Sequence, residues 1–437
     1  MDEIRKTLLF IAAAILVTVS LIVTAPNNPI PEAFSDRGDL FFQNFSDPNA
    51  SASLEIINFD EETGQIRAFN VVFKGTRWRI PSHHNYPADN KDQLARTAAG
   101  LIEVRKDDVV TETSSDHEAL GVVDPLDKSV VSLAGRGKRV TIKDKNENLL
   151  ADIIIGKKVP ERESIYRYLR IPGQKRTYAA RFNVDISSQF GDWIEDDLLK
   201  LDRNQIRGVT LRNYSIDERT RILNQHDTIV LNRNENNWKA KRMQKGQVVN
   251  QEKLENLLKA LDELNIVDIR PKPVGLSKSL KNNDAGIMVD DEGIISLQEK
   301  GFYFTQDNQL VSNEGETQVR TDDGLIYTLR FGEIVDNASI GENRYLFITT
   351  DFDEKVFTEP PSPSDMNFLN KPDTLWSAND KTNFELQGKY EHWEKIVDDG
   401  RKKESDLNSR FAQWYYIISG GSFDKIHLQR GDIITSP

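Results

Sequence analysis

The chain has 437 residues, a formal net charge of −12 and no cysteine. The length suits two or three domains, and 38% hydrophobic with 29% charged residues is a globular balance. The acidic balance argues against nucleic-acid binding, which needs a basic face. The missing thiols exclude disulfides, zinc-thiolate and iron–sulfur sites, and a cysteine nucleophile.

In chain order, Arg5 and Lys6 precede an apolar run from Leu8 to Val23, broken only by Thr18 and Ser20. With Thr7, Thr24 and Ala25 it reaches roughly the 17–20 residues a helix needs to cross a bilayer. Cations on the leading side orient the N-terminus inside. Residues 1–25 are read as a single uncleaved transmembrane anchor of the inner (cytoplasmic) membrane, with the rest extracytoplasmic; a cleaved signal peptide is the alternative. Residues 26–52, rich in Pro, Asn, Ser and Asp, read as a tether.

The first body, 53–205, opens with two hairpin signals. Leu54–Ile56 and Ile66–Phe69 flank the turn Asp60–Gly64, and Val71–Phe73 and Trp78–Ile80 flank Lys74-Gly75-Thr76. A helix follows, with Asp89 or Asn90 as cap and Leu94, Ala98, Leu101 and Ile102 on one face. Extended segments are expected around Val109-Val110, Val130-Val131, Val140–Ile142, Ile153–Ile155, Tyr166–Leu169 and Tyr178–Ala180, and a short helix over Trp193–Leu201.

The second body, 206–358, restarts with Gly208–Leu211 and Thr228–Leu231, leading to Trp238. Asn250 caps a helix carrying Leu254, Leu257, Leu258, Leu261 and Leu264, and further strands run to Tyr345–Ile348. The remainder, 359–437, is read as a Pro-rich linker, a long helix from Phe384 to Phe411, and C-terminal strands.

One pattern occurs twice. Trp78, Asn90, Leu94, Ala98, Leu101, Val104 and Asp108 correspond at a constant offset of 160 to Trp238, Asn250, Leu254, Leu258, Leu261, Leu264 and Asp268. Later, Ile153–Gly156 matches Leu329–Gly332 at 176, so the second copy carries insertions. The expected fold is α+β: two tandem repeated units, each a mostly antiparallel sheet with one main packed helix, preceded by a single transmembrane helix.

This layout resembles the bacterial family known as domain of unknown function 4340. The likeness covers about residues 54–350 and rests on the Trp78 strand, the Leu-striped helix and the Ile155-Gly156 ending. The tail Arg410–Ile418 resembles the ending of longer members. The resemblance implies an accessory role beside gliding-type ABC transport systems. It implies no catalytic residue.

The residues themselves offer little chemistry. Gly135-Arg136-Gly137-Lys138 lacks phosphate-loop spacing and reads as a basic turn. The Asp144–Asn148 loop fails as a calcium site, since Leu149 stands where Gly is needed and Ile155 where Glu is needed. His83-His84 read as loop histidines, and Glu195-Asp196-Asp197 and Asp322-Asp323 as solvated acids. No catalytic residue, cofactor or metal ligand is assigned. Trp78 and Trp238 are the candidate ligand or packing residues; packing against the helix is preferred over a ligand groove because both keep the same distance to it. The function expected is a non-enzymatic, membrane-anchored scaffold with protein partners in a transport or envelope complex. The alternatives are a binding module for glycan, peptide or lipid at the repeat interface and, last, a hydrolase.

Overall fold

A computed structural model of the chain describes residues 36–89, 91–217, 219–220, 222–235, 237–281, 289–335 and 342–436. The expected anchor, the start of the tether and the cap residue Asn90 lie outside them. Among the described residues no helix is long and apolar enough to cross a membrane. The chain divides into two compact units: one holds the chain up to Ser82 with Lys91–Ser188, the other His83–Asn90 with Gln189–Pro437.

In the first unit the strands are β1 (Ser53–Phe59), β2 (Ile66–Lys74), β3 (Arg77–Ile80), β4 (Asp108–Thr111), β5 (Lys138–Lys143), β6 (Leu149–Lys158), β7 (Tyr166–Arg170) and β8 (Thr177–Arg181). They lie side by side in the order β3-β2-β1-β5-β6-β7-β8-β4. Every pairing is antiparallel. Helix α1 (Lys91–Ile102) connects β3 to β4 and buries Leu94, Ala98 and Leu101, as the apolar spacing dictates. A one-turn helix α2 (His117–Leu120) follows β4.

The second unit has β9 (Ile206–Asp217), β10 (Ile222–Asn234), β11 (Asn237–Ala240), helix α3 (Gln251–Asp262) and β12 (Asp268–Pro271). Helices α4 (Val274–Lys281) and α5 (Asp291–Gln298) and the hairpin β13 (Phe302–Phe304)/β14 (Leu310–Ser312) come next. After them come β15 (Glu316–Thr321), β16 (Leu325–Ile334), β17 (Arg344–Phe352), helix α6 (Ala378–Phe411), β18 (Trp414–Ile418) and helix α7 (Gly420–Ile426). The large sheet runs β11-β10-β9-β15-β16-β17-β18-β12. Strand for strand this is the order of those eight strands in the first sheet, which carries a ninth short strand, Tyr86–Ala88, beyond β3. The bounds of β3, α1 and β4 map onto β11, α3 and β12 at 160 throughout, and β6 maps onto β16 at 176.

The glycine ending the β6 and β16 motif has the same cause in both units. A Cβ on Gly156 would lie 2.6 Å from the carbonyl oxygen of Leu120, and one on Gly332 would collide with that of Lys300. In each unit a helix ends over the sheet at a left-handed glycine, Gly121 (φ 73°) after α2 and Gly301 (φ 81°) after α5. Its backbone passes so close to the strand below that only glycine fits there.

The tail is part of the second sheet. In the first unit β7 and β8 form a tight hairpin across residues 171–176; in the second, α6 and its approach are inserted between β17 and β18. Strand β18 then returns between β17 and β12. The second unit therefore carries several helices where one main helix is expected.

Other expectations need correction. Val130-Val131 is not a strand: it belongs to a loop gathered round Arg136, whose guanidinium donates to the carbonyls of Asp124, Pro125, Asp127, Val130 and Ser132. Val131 is 93% exposed. Trp193–Leu201 is not a helix beyond the 3-10 turn Phe190–Trp193. Its backbone instead bonds across the chain, Leu198 N–H donating to Leu264 O at 3.1 Å, while Trp193, Leu198 and Leu199 are buried. Helix α6 starts at Ala378 rather than Phe384, because Ser377 and Asp380 form a capping box. Beyond Gly420 the chain is helical in α7, capped by Ser419, where strand was expected.

Candidate functional site

The two tryptophans sit on the corresponding strands β3 and β11, and neither is fully buried. Trp78 pairs across the ladder with Phe73, the rings meeting edge-on at 5.2 Å. It also lines a cavity of about 140 Å³ belonging wholly to the first unit. Pro48, Asn49 and Ser51 form one side of that cavity, and Asp92, Leu94 and Ala95 of α1 another. Trp238 pairs with Arg233 on the edge of the second sheet.

The segment that brings Ser51 to Trp78 is a 3-10 turn, Pro48–Ala50, held by an Asx turn. Asp47 accepts from the backbone N–H of Asn49 at 2.9 Å and from its amide at 3.2 Å. Asp202 does the same for Asn204, at 2.7 and 2.9 Å, ahead of β9. The repeated Asp-x-Asn was legible in the sequence, but at an offset of 155 it falls outside the 160 register. Ser51 is 6% exposed, and its hydroxyl has no hydrogen-bond partner. Asp92 stands exposed in the first turn of α1.

A second cavity, of about 200 Å³, lies between α5 and the β13/β14 hairpin and is lined chiefly by Ile294, Leu297, Phe302 and Phe304.

His83 is half-buried rather than a solvated loop residue. Its ring stacks on Phe190 at 4.4 Å, and Nε2 lies 3.9 Å from Asp268. Burial lowers its pKa, with Asp268 opposing. Asp323 accepts from Lys403 at 2.6 Å. Burial raises the Asp323 pKa, but its bonds to Lys403 and Thr321 outweigh that and hold it below the usual value. Asp144 accepts from the N–H groups of Asn146 and Asn148 and so closes the β5–β6 turn. Among the described residues no group of three or more His, Asp or Glu side chains is placed to hold a metal ion.

Lys272, just past β12, escaped the sequence reading. It is 5% exposed; Nζ donates to the carbonyl of Phe411 at 2.9 Å and lies 3.8 Å from the Phe347 ring centre. Burial pushes its pKa well below the ordinary lysine value. It holds the C-terminal end of α6, where the helix dipole favours a donor.

No curated protein and no solved structure matches the chain. Residues 78–279, from the first tryptophan strand through the α4 region, match the family model described as Domain of unknown function (DUF4340). Over that stretch, a little under half its length, the chain resembles this family.

Proposed function

We propose that this protein is a membrane-anchored extracytoplasmic accessory subunit, built from a duplicated unit, that holds protein partners in an ABC-transport or envelope complex. The observation that carries the reading is the insertion between β17 and β18. Its approach to α6 leaves Leu369 67% and Leu375 71% exposed, with Val356 and Met366 also open to solvent, and Phe384 within α6 is 53% exposed. The sheets also leave some apolar side chains exposed, Ile66, Leu149 and Ile222 among them, but bury many more. Exposed apolar side chains on a segment leading into a long helix offer a partner protein contact area. The family likeness over 78–279 and the apolar run Leu8–Val23 support the same reading.

The test is co-purification from membranes solubilised with the N-terminal segment intact, comparing wild type with Leu375→Asp/Phe384→Asp. Partner subunits should accompany the wild type and be depleted with the double variant. A wild-type protein that always emerges alone overturns the proposal.

A further inference from the structure

We propose that the 124–136 loop of the first unit docks into an apolar groove of a partner protein, one flanked by basic side chains. The loop curls round the Arg136 guanidinium, which donates to the carbonyls of Asp124, Pro125, Asp127, Val130 and Ser132. With those carbonyls turned inward, aliphatic side chains are left outside: Val131 is 93% exposed, Leu133 47% and Leu126 42%. A single exposed aliphatic is ordinary. Grouped on a short loop whose backbone is fixed from within, they form a preordered apolar surface, and a partner has little left to order on binding. A side chain as exposed as Val131 protrudes, so the partner surface is concave.

The second unit is the internal control. Its β13/β14 hairpin holds the corresponding place: each element leaves a left-handed glycine, Gly121 or Gly301, and leads into the corresponding strand, β5 or β15. The tip of that hairpin is Thr305-Gln306-Asp307-Asn308-Gln309, polar throughout. An element at this place therefore needs no outward aliphatic side chain, and the fold does not account for Leu126, Val131 and Leu133.

Charge selects the occupant. Leu133 lies over the Asp60–Gly64 turn, where a Cβ on Gly64 would be 3.6 Å from its side chain. That turn carries exposed Glu61 and Glu62, and Glu61 accepts from the Gly135 N–H at 2.9 Å. Beside α2, exposed Glu118 accepts from the Ser132 hydroxyl at 3.0 Å. Of the loop's own cations, Arg136 is engaged by the carbonyls, which leaves Lys128. The aliphatic side chains thus stand among carboxylates. Those carboxylates repel an anionic lipid surface, and a second copy of the chain would bring the same carboxylates face to face. A protein groove with basic flanks meets both features. The inference concerns the first unit alone and does not rest on the accessory role.

The test uses the full chain in intact cells, with the photo-crosslinking residue p-benzoylphenylalanine in place of exposed Ala134. Irradiation should join it to a protein other than this chain, and mass spectrometry of the joined peptides should place the contact among apolar residues flanked by Lys or Arg. Val131→Asp should lower the yield about tenfold and Glu62→Lys about threefold. The same residue in place of Asn308, on the polar hairpin tip, should give no such product. Val131→Asp should leave the thermal melt of the purified chain unchanged, as an exposed position does. The proposal is overturned if no protein adduct forms, if the adduct is with lipid or with a second copy of this chain, or if the contact lies on an acidic surface. It is equally overturned if Val131→Asp leaves the yield intact, or if it lowers the melting temperature, which would assign the side chain to the fold.

Discussion

Asn408 acts as a substitute for a neighbouring strand, and removing it is a sharp test of how α6 is joined to the second sheet. Strand β17 pairs with β18 only through Arg344, Tyr345 and Leu346. Further along the same edge, α6 lies where a strand would continue. The backbone N–H of Thr350 donates to Asn408 Oδ1 at 2.9 Å, and Asn408 Nδ2 donates to Thr350 O at 2.8 Å. The side-chain amide thus reproduces the two-bond pattern of a ladder partner. Thr350 is fully buried and Asn408 is 7% exposed, so water does not replace either bond. Asn408→Ala leaves one donor and one acceptor unpaired. At about 1–3 kcal/mol for each buried group, the loss should be about 2–6 kcal/mol. Domains of this kind are stable by only about 5–15 kcal/mol, so the effect is large. Urea unfolding gives the free energy, and hydrogen exchange gives the protection of the Thr350 amide. Ser409→Ala, at the exposed neighbouring position, should change stability by less than about 0.5 kcal/mol. A loss below about 1 kcal/mol in Asn408→Ala, or a Thr350 amide as protected as in wild type, would refute the strand-substitute argument.

Further outcomes follow from other contacts. Gly156→Ala and Gly332→Ala should each destabilise by about 2 kcal/mol or more, since the added Cβ meets backbone that cannot move aside. Gly388→Ala, inside α6 with open space around it, should instead stabilise by about 0.5–1 kcal/mol; thermal melts of the three variants check both signs. Lys272 has a folded-state pKa well below that of the unfolded chain. Between those two values the unfolded state holds the extra proton, so stability should rise with pH, by at most about 1.4 kcal/mol per unit. Tyr178 and Tyr214, pushed up to about 12, work the other way as pH passes their unfolded values, so the comparison belongs between about pH 7 and 9.5. Lys272→Met should flatten that rise in urea titrations; an unchanged slope would show that Lys272 is not its source. Arg136→Lys keeps the charge but not the fork that reaches five carbonyls, and the 124–136 loop should become readily cleaved in limited proteolysis.

Much of this architecture was legible because its signals are local. A tryptophan strand, a helix with an apolar stripe and an Asp-led strand each declare themselves within a dozen residues, and a fixed offset of 160 ties the copies together. What stayed hidden was non-local or isolated. Nothing near Thr177 or Trp414 says that β8 and β18 lie next to β4 and β12, since those partners are distant in sequence. Asn408 sits in a hydrophilic helix and looks like any solvated residue; only the bare edge of β17 gives it a role. One signal was available and unused. The offset is 160 at β3, 176 at β6, 178 from β7 to β17 (344 minus 166), then 237 from β8 to β18 (414 minus 177). A step of that size between two neighbouring strands of one hairpin means that the extra residues leave and return at the same edge. The apolar runs Tyr178-Ala179-Ala180 and Tyr415-Tyr416-Ile417 were both visible. Aligning them would have placed the long helix inside the last hairpin of the second unit, and with it the exposed apolar surface on which the accessory role is proposed.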